Sequence, residues 1–269
     1  MWHVLRILLL ATTLLIAGCI NFKEETDETK DWSAERLYQE AKSVLEQNEY
    51  EQAVGYLEKL EARYPYGRYA AQAQLDVAYA YYRDNEATLA LAAAERFIRL
   101  HPTHPFVDYA YYLKGLIHFN VKRGTFDWLL GANVDYSDRD PKVMRQALLA
   151  FRDLTKRFPD SKYAPDAHQR IAYLINLMAK YEIHVAKHYY KNEAYVATVN
   201  RAKYVLENFQ TTPSTEDALG IMSLAYSRMG YIGLMRDSER VLKLNFPKSR
   251  YLRQLSTLND ANDNEDESG

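Results

Sequence analysis

"RFPDSKYAPDA", Arg157 to Ala167, has two near copies in the same chain: "RYPYGRYAAQA" from Arg63 to Ala73 and "NFPKSRYLRQL" from Asn245 to Leu255. Each begins on the pattern aromatic, proline, any residue, glycine or serine, base, tyrosine. Proline disfavours α geometry in the residue before it, so a helix that reaches the aromatic ends there. Glycine or serine accepts a turn, and serine can cap the helix that follows. The hexamer thus predicts a joint between two helices, with its tyrosine in the first turn of the second.

Upstream of each joint runs one apolar stripe. Ala53, Leu57, Leu60 and Tyr64 precede Pro65; Ala90, Ala94, Phe97 and His101 precede Pro102; Ala147, Phe151, Leu154 and Phe158 precede Pro159. Thr198, Ala202, Val205 and Phe209 precede Gln210, and Met235, Glu239, Leu242 and Phe246 precede Pro247. Offsets of four, three and four keep these residues on one face of an α-helix. No stretch sustains the period of two that strands require. A partner helix precedes each stripe, as in Leu37, Ala41, Val44 and Leu45, or Leu75, Ala78, Tyr79 and Tyr82.

Tyr64 to His101 is 37 residues, and so is Phe209 to Phe246. Less a short linker, that is the tetratricopeptide period of about 34. Alanines stand where paired helices must cross closely, Ala41 with Ala53 and Ala78 with Ala90. The expected fold is all-α, a solenoid of about five tetratricopeptide (TPR) helix pairs, at 33–66, 70–103, 106–160, 163–211 and 214–248, then a short final helix. Two units are longer. The third holds an insertion over 121–141, "VKRGTFDWLLGANVDYSDRDP". The fourth has an extended first helix, roughly Pro165 to Tyr190, expected to project beyond the stack.

The chain ends are of another kind. "MWHVLR" carries a base, "ILLLATTLLI" carries no charge, and "AGC" closes the run at Cys19, the three-part build of a signal peptide over 1–18. The apolar run is shorter than the roughly 20 residues that span a bilayer. "IAGC", Ile16 to Cys19, resembles the lipobox of bacterial lipoproteins, which implies lipid attachment at Cys19 and cleavage before it. Ile20 in place of an aspartate implies, by the same resemblance, the outer membrane. Residues 19–32 read as a flexible tether. Residues 259–269, with five acids and no base, read as a disordered tail.

Cys19 is the only cysteine, which leaves none for disulfides, thiol catalysis or zinc thiolates. The net charge of −2 gives no sign of nucleic-acid binding. His184 and His188 lie one turn apart, a spacing that can bind metal, but HExxH is absent and the pair reads as solvated or packed. Asp138 and Asp140 flank Arg139 and read as turn caps and ion-pair partners. Phosphate loops and nucleophile elbows are absent, and the helices leave no room for a catalytic domain. The chain is expected to be no enzyme and to use no cofactor beyond the lipid on Cys19. Solenoids work by surface, and the 23 tyrosines exceed what a core requires.

A lipobox, a tether and five TPR units with the third and fourth enlarged resemble the BamD family, lipoproteins of the outer-membrane β-barrel assembly machinery. The resemblance rests on "RYPYGRYAAQ" at 63–72, "AYAYY" at 78–82, "RFIRLHPTHP" at 96–105, "DYSDRDP" at 135–141, "MAKYE" at 178–182 and "VNRAK" at 199–203. It implies a non-enzymatic subunit on the periplasmic face of the outer membrane, held there by its lipid. Its implied partners are the barrel-forming assembly subunit with its periplasmic domains, smaller assembly lipoproteins and unfolded outer-membrane proteins. Tyr64 and Arg201 match family positions tied to these contacts. The C-terminal units are implied to face the assembly partner and the N-terminal units the substrate. The competing readings are a TPR scaffold linking peptidoglycan to the outer membrane and a superhelical arm of a lytic enzyme, for whose catalytic domain no residues remain.

Overall fold

The computed structural model describes the backbone of residues 27–120 and 141–266 and the side chains of 27–119 and 141–258. Cys19, the signal segment and the 121–140 part of the insertion, with Asp138 and Asp140, lie outside the described residues. Eleven helices and no strand occur among the described residues: α1 Ala34–Glu46, α2 Tyr50–Arg63, α3 Ala70–Arg83, α4 Ala87–Leu100, α5 Val107–Asn120, α6 Pro141–Arg157, α7 Ala164–Lys191, α8 Tyr195–Asn208, α9 Ser214–Arg228, α10 Ile232–Asn245 and α11 Arg250–Asp266. Each helix packs on the next, and first helices also meet across pairs: α3 with α5, α7 with α9, and α9 with α11. This is the all-α, TPR-like solenoid.

Two kinds of joint alternate. Within a pair, a residue with positive φ ends the first helix: Asn48 (65°), Asn85 (63°), Glu193 (60°) and Gly230 (74°). The next amide then reaches back five residues, Glu49 N to Val44 O at 2.9 Å and Glu86 N to Tyr81 O at 2.9 Å. Ala194 N to Tyr189 O and Tyr231 N to Tyr226 O do the same at 3.0 Å. This left-handed stop satisfies carbonyls that a helix end would otherwise orphan. Asparagine and glycine adopt that geometry at little cost; glutamate adopts it under strain. Glu193→Asn should therefore raise stability by about 0.5–1 kcal/mol, read as a shift in the urea midpoint at unchanged m-value.

Between pairs the hexamer makes two successive turns. In the first copy Gly67 N donates to Tyr64 O (2.9 Å) and Ala70 N to Gly67 O (3.0 Å). In the second, Ser161 N donates to Phe158 O (3.1 Å) and Ala164 N to Ser161 O (2.9 Å). Serine shapes the turn rather than capping the helix as expected: Ser161 Oγ accepts from Tyr163 N at 3.2 Å, and no side chain caps α7. Tyr251 sits in the first turn of α11 as expected, whereas Tyr69 and Tyr163 are the capping residues themselves, one position earlier. Phe209 adopts φ −133°, ψ 38° ahead of Gln210, close to the −128°, 54° of His101 ahead of Pro102. The bend therefore does not need proline: burial of the aromatic and the double turn hold it.

The predicted stripes are the core. Ala53, Leu57, Leu60, Ala90, Ala94, Phe97, Ala147, Phe151, Leu154, Ala202 and Val205 are all fully buried. The last pair departs by one position. Ser238, not Glu239, is buried there, and its hydroxyl lies 2.8 Å from that of Ser223, with both hydroxyls donating or shared back to their own helix carbonyls. The long helix α7 does not project freely. Its 28 residues span about 42 Å, and burial continues from Ala164 and Leu174 through Ile183 to Ala186 because α8 and α9 cover its second half. Two further differences concern the ends. Residues 27–32, expected as tether, are fixed against α2. The helix α11 runs on to Asp266, through a segment expected to be disordered, where neither proline nor glycine interrupts it.

Candidate interaction surface

The face built by the first helices carries a repeated device. Tyr38 Oη on α1 donates to Asp76 Oδ2 on α3 at 3.0 Å. Tyr112 Oη on α5 donates to Asp166 Oδ2 on α7 at 2.6 Å, and Tyr251 Oη on α11 to Asp217 Oδ1 on α9 at 2.7 Å. The hexamer tyrosines fill the space behind these bonds. Tyr69 stacks on Tyr38 with centroids 4.9 Å apart, and Tyr163 on Tyr112 at the same distance. In the third copy the ring of Tyr251 lies directly on Gly220, where an added Cβ would come within 2.1 Å of Cγ. Burial first, then the Asp166 bond, pushes the Tyr112 phenol up to about 12, so it stays neutral and able to donate. These tyrosines join units. They are not a reserve of contacts for a client.

Tyr64 closes α2 with its side chain half-buried, and its hydroxyl donates to the Trp32 carbonyl at 2.9 Å. It belongs to a clamp on residues 27–32. Arg63 donates to Thr29 O and to the Asp27 carboxylate, Lys59 Nζ lies 2.9 Å from Asp27 Oδ1, and Trp32 stacks on Tyr56 at 5.7 Å. The hydrogen bond from Lys59, then that from Thr29, hold the Asp27 carboxyl far below the ordinary range. Tyr64 thus faces into the stack, while its neighbour Tyr66 is fully exposed. The stripe that ends on Tyr64 and the free position that holds Tyr66 are consistent with this difference.

Arg201 projects from α8, 44 % exposed, with Nη1 3.0 Å from Oε2 of Glu182 on α7, itself 12 % exposed. Burial lowers its pKa, but the Glu182 charge and hydrogen bond and the Tyr189 hydroxyl outweigh this and raise it, so the guanidinium stays charged. Arg201 and Tyr64 lie on different pairs and are not brought together. A further surface went unread in the sequence. Leu234, Val241 and Leu244 of α10 are exposed, off the buried Met235–Leu242 stripe, at spacings of seven and three that place them on one side of the helix. Among the described residues no cluster of three or more His, Cys, Asp or Glu could hold a metal ion, and no helix is long and apolar enough to cross a membrane.

A family model described as YfiO, outer membrane lipoprotein, matches residues 30–244. The chain is 49 % identical over 224 residues to "Outer membrane protein assembly factor BamD" of Neisseria meningitidis, covering 83 % of each chain. The chain belongs to the BamD family. The relative so named in Vibrio cholerae is 36 % identical over 237 residues (88 % of this chain and 96 % of that one), and the one in Xylella fastidiosa 35 % over 253 residues (93 % and 84 %). The matched span takes in Trp32, the first two of the three hexamer copies, at 63–73 and 157–167, and the Glu182–Arg201 pair, and stops just before the third copy.

Proposed function

We propose that this chain is a non-enzymatic lipoprotein subunit of the machinery that assembles β-barrel proteins in the outer membrane. It binds the barrel-forming subunit, smaller assembly lipoproteins and unfolded outer-membrane proteins, and promotes their folding and insertion. Membership of the BamD family across residues 30–244 carries this reading. A body of stacked helix pairs with its tyrosines committed between units suits a rigid docking platform. Cys19, in "IAGC", carries the lipid that holds the chain at the periplasmic face. Arg201 serves the assembly partner: Glu182 fixes its side chain while it remains open to an incoming carboxylate. Tyr64 serves the client side indirectly, by holding residues 27–32 and so placing the exposed ring of Tyr66.

Photo-crosslinkers at positions 64, 66 and 201 in intact cells test this. Position 201 should capture a barrel-assembly subunit, and position 66 nascent barrel proteins more strongly than position 64. Capture of neither class would sink the assignment. Cys19→Ala should leave an unlipidated protein that separates from outer membranes on carbonate washing. Its continued processing and sedimentation with outer membranes would show that the anchor lies elsewhere.

A further inference from the structure

Four basic side chains of α7, His184, Lys187, His188 and Lys191, stand at i, i+3, i+4 and i+7 and share one face of the helix. They wall a groove of about 320 Å³ completed by Tyr190, by Ile221 of α9 and by Tyr251 of α11. One carboxylate reaches this wall, and it is already shared. Asp217 Oδ2 lies 2.9 Å from Lys187 Nζ, and its Oδ1 lies 3.1 Å from Arg250 Nη2 and 2.7 Å from Tyr251 Oη. His188 Nε2 lies 3.1 Å from the Asn192 amide, which holds its ring in place. Lys191 and His184 are exposed, and Lys191 has no ion-pair partner among the described residues. Lys187, Lys191 and Arg250 against one carboxylate leave the groove positive even with both histidines neutral. The helix dipole accounts for bases in the last turn, but His184 stands a turn before it.

We propose that this groove docks an acidic, extended polypeptide segment of a partner. Its carboxylates lie against His184, His188 and Lys191, along the rim of a groove whose floor, Ile221 and Tyr251, is already buried. From His184 to Lys191 is about 10 Å along the helix, the length of about three residues of extended chain, so a short acidic run places carboxylates along the whole row. A compact phosphate would use only one end of such a row. The occupant is set by charge and length, whichever assembly subunit supplies it.

The test is fluorescence anisotropy on the full-length protein in detergent, at low salt, with a labelled peptide of sequence NDANDNEDESG as acidic probe. A peptide with Asn and Gln in place of its acids is the control. The acidic peptide should bind and the amide control should not. The variant His184→Gln/His188→Gln/Lys191→Gln should bind about tenfold more weakly, as expected from losing three solvent-exposed attractions. Lys191→Arg, which keeps the charge, should bind as the unaltered protein does. Equal binding of both peptides, or undiminished binding by the triple variant, would overturn the proposal. So would displacement of the acidic peptide by inorganic pyrophosphate at lower concentration than by unlabelled peptide, which would mark a phosphate-bearing headgroup as the occupant.

Discussion

Gly115→Ala is expected to cost about 3 kcal/mol of stability, the upper end of what overpacking a core does. A Cβ at Gly115 on α5 would stand 2.4 Å from Cε1, 2.6 Å from Cδ1 and 2.9 Å from Cζ of Phe151 on α6. The Phe151 ring is fully buried and cannot step aside. The rings of Tyr112 (6.1 Å) and Phe119 (6.3 Å) and the guanidinium of Arg170 (5.9 Å) surround it. Urea unfolding followed by circular dichroism measures the loss. Phe151→Ala alone should cost about 3–5 kcal/mol through the cavity it leaves. Gly115→Ala combined with Phe151→Leu should cost less than the two single changes summed, because the smaller side chain yields the space the methyl needs. Strict additivity would mean that the two side chains do not share this space. Each pair touches only its neighbours, so the damage should split the unfolding transition rather than shift it whole.

Tyr251→Ala should cost about 3–4 kcal/mol, comparable to truncating a core aromatic, and the loss should be local. Tyr251 is 4 % exposed, packs on Gly220 and, with the fully buried Leu255, fastens α11 to α9. Amides of 250–258 should then exchange far faster while those of α3 to α6 keep their protection. Tyr251→Phe removes the bond to Asp217 and the weaker one accepted from Arg250, and should cost about 1 kcal/mol. The same carboxylate makes the docking acid-sensitive. Burial alone would raise the Asp217 pKa, but hydrogen bonds from Lys187 and Tyr251 and the charges of Lys187 and Arg250 hold it below the ordinary value of 3.8. A carboxyl depressed in the folded state contributes stability above its unfolded pKa and loses it as pH falls through the folded one. Protection of 250–258 should thus be flat from pH 7 to about 5 and fall below about 4, less steeply in Tyr251→Phe. A decline beginning above pH 5 would point to another group.

Most of the architecture could be read before any coordinates, and the reason is local. An aromatic followed by proline, glycine or serine and tyrosine stops one helix and starts another within six residues. The buried stripes repeat at offsets that only a helix places on one face. Where those rules were pressed to single positions they slipped. Tyr251 sits in the first turn of α11, but Tyr69 and Tyr163 stand one position outside α3 and α7, as their caps. Ser238 replaced Glu239 in the last stripe because its hydroxyl finds that of Ser223. The second half of α7 is covered because α8 turns back along it and α9 stacks beside it, a consequence of the neighbouring units rather than of its own residues.

The candidate surface was less legible for a related reason. Arg201 could be placed on a helix exterior, but its partner Glu182 lies 19 residues away on another helix, and nothing in either segment names the other. Tyr64 and Tyr66 stand two residues apart in one hexamer. The stripe set Tyr64 on the buried face and Tyr66 off it, but the bond of Tyr64 to Trp32 came only with the docking of residues 27–32 on Lys59 and Arg63. The basic row on α7 was visible as His184 and His188, yet its meaning depends on Ile221 and Tyr251 from elements 30 and more residues downstream. The sequence by itself determined the helices, their order and the joints between them, since capping, breaking and periodicity act over a few residues. Which side chains are consumed inside the stack and which remain for a partner was decided only by tertiary structure, because hydrogen-bond satisfaction and charge pairing are settled between residues that the chain brings together only on folding.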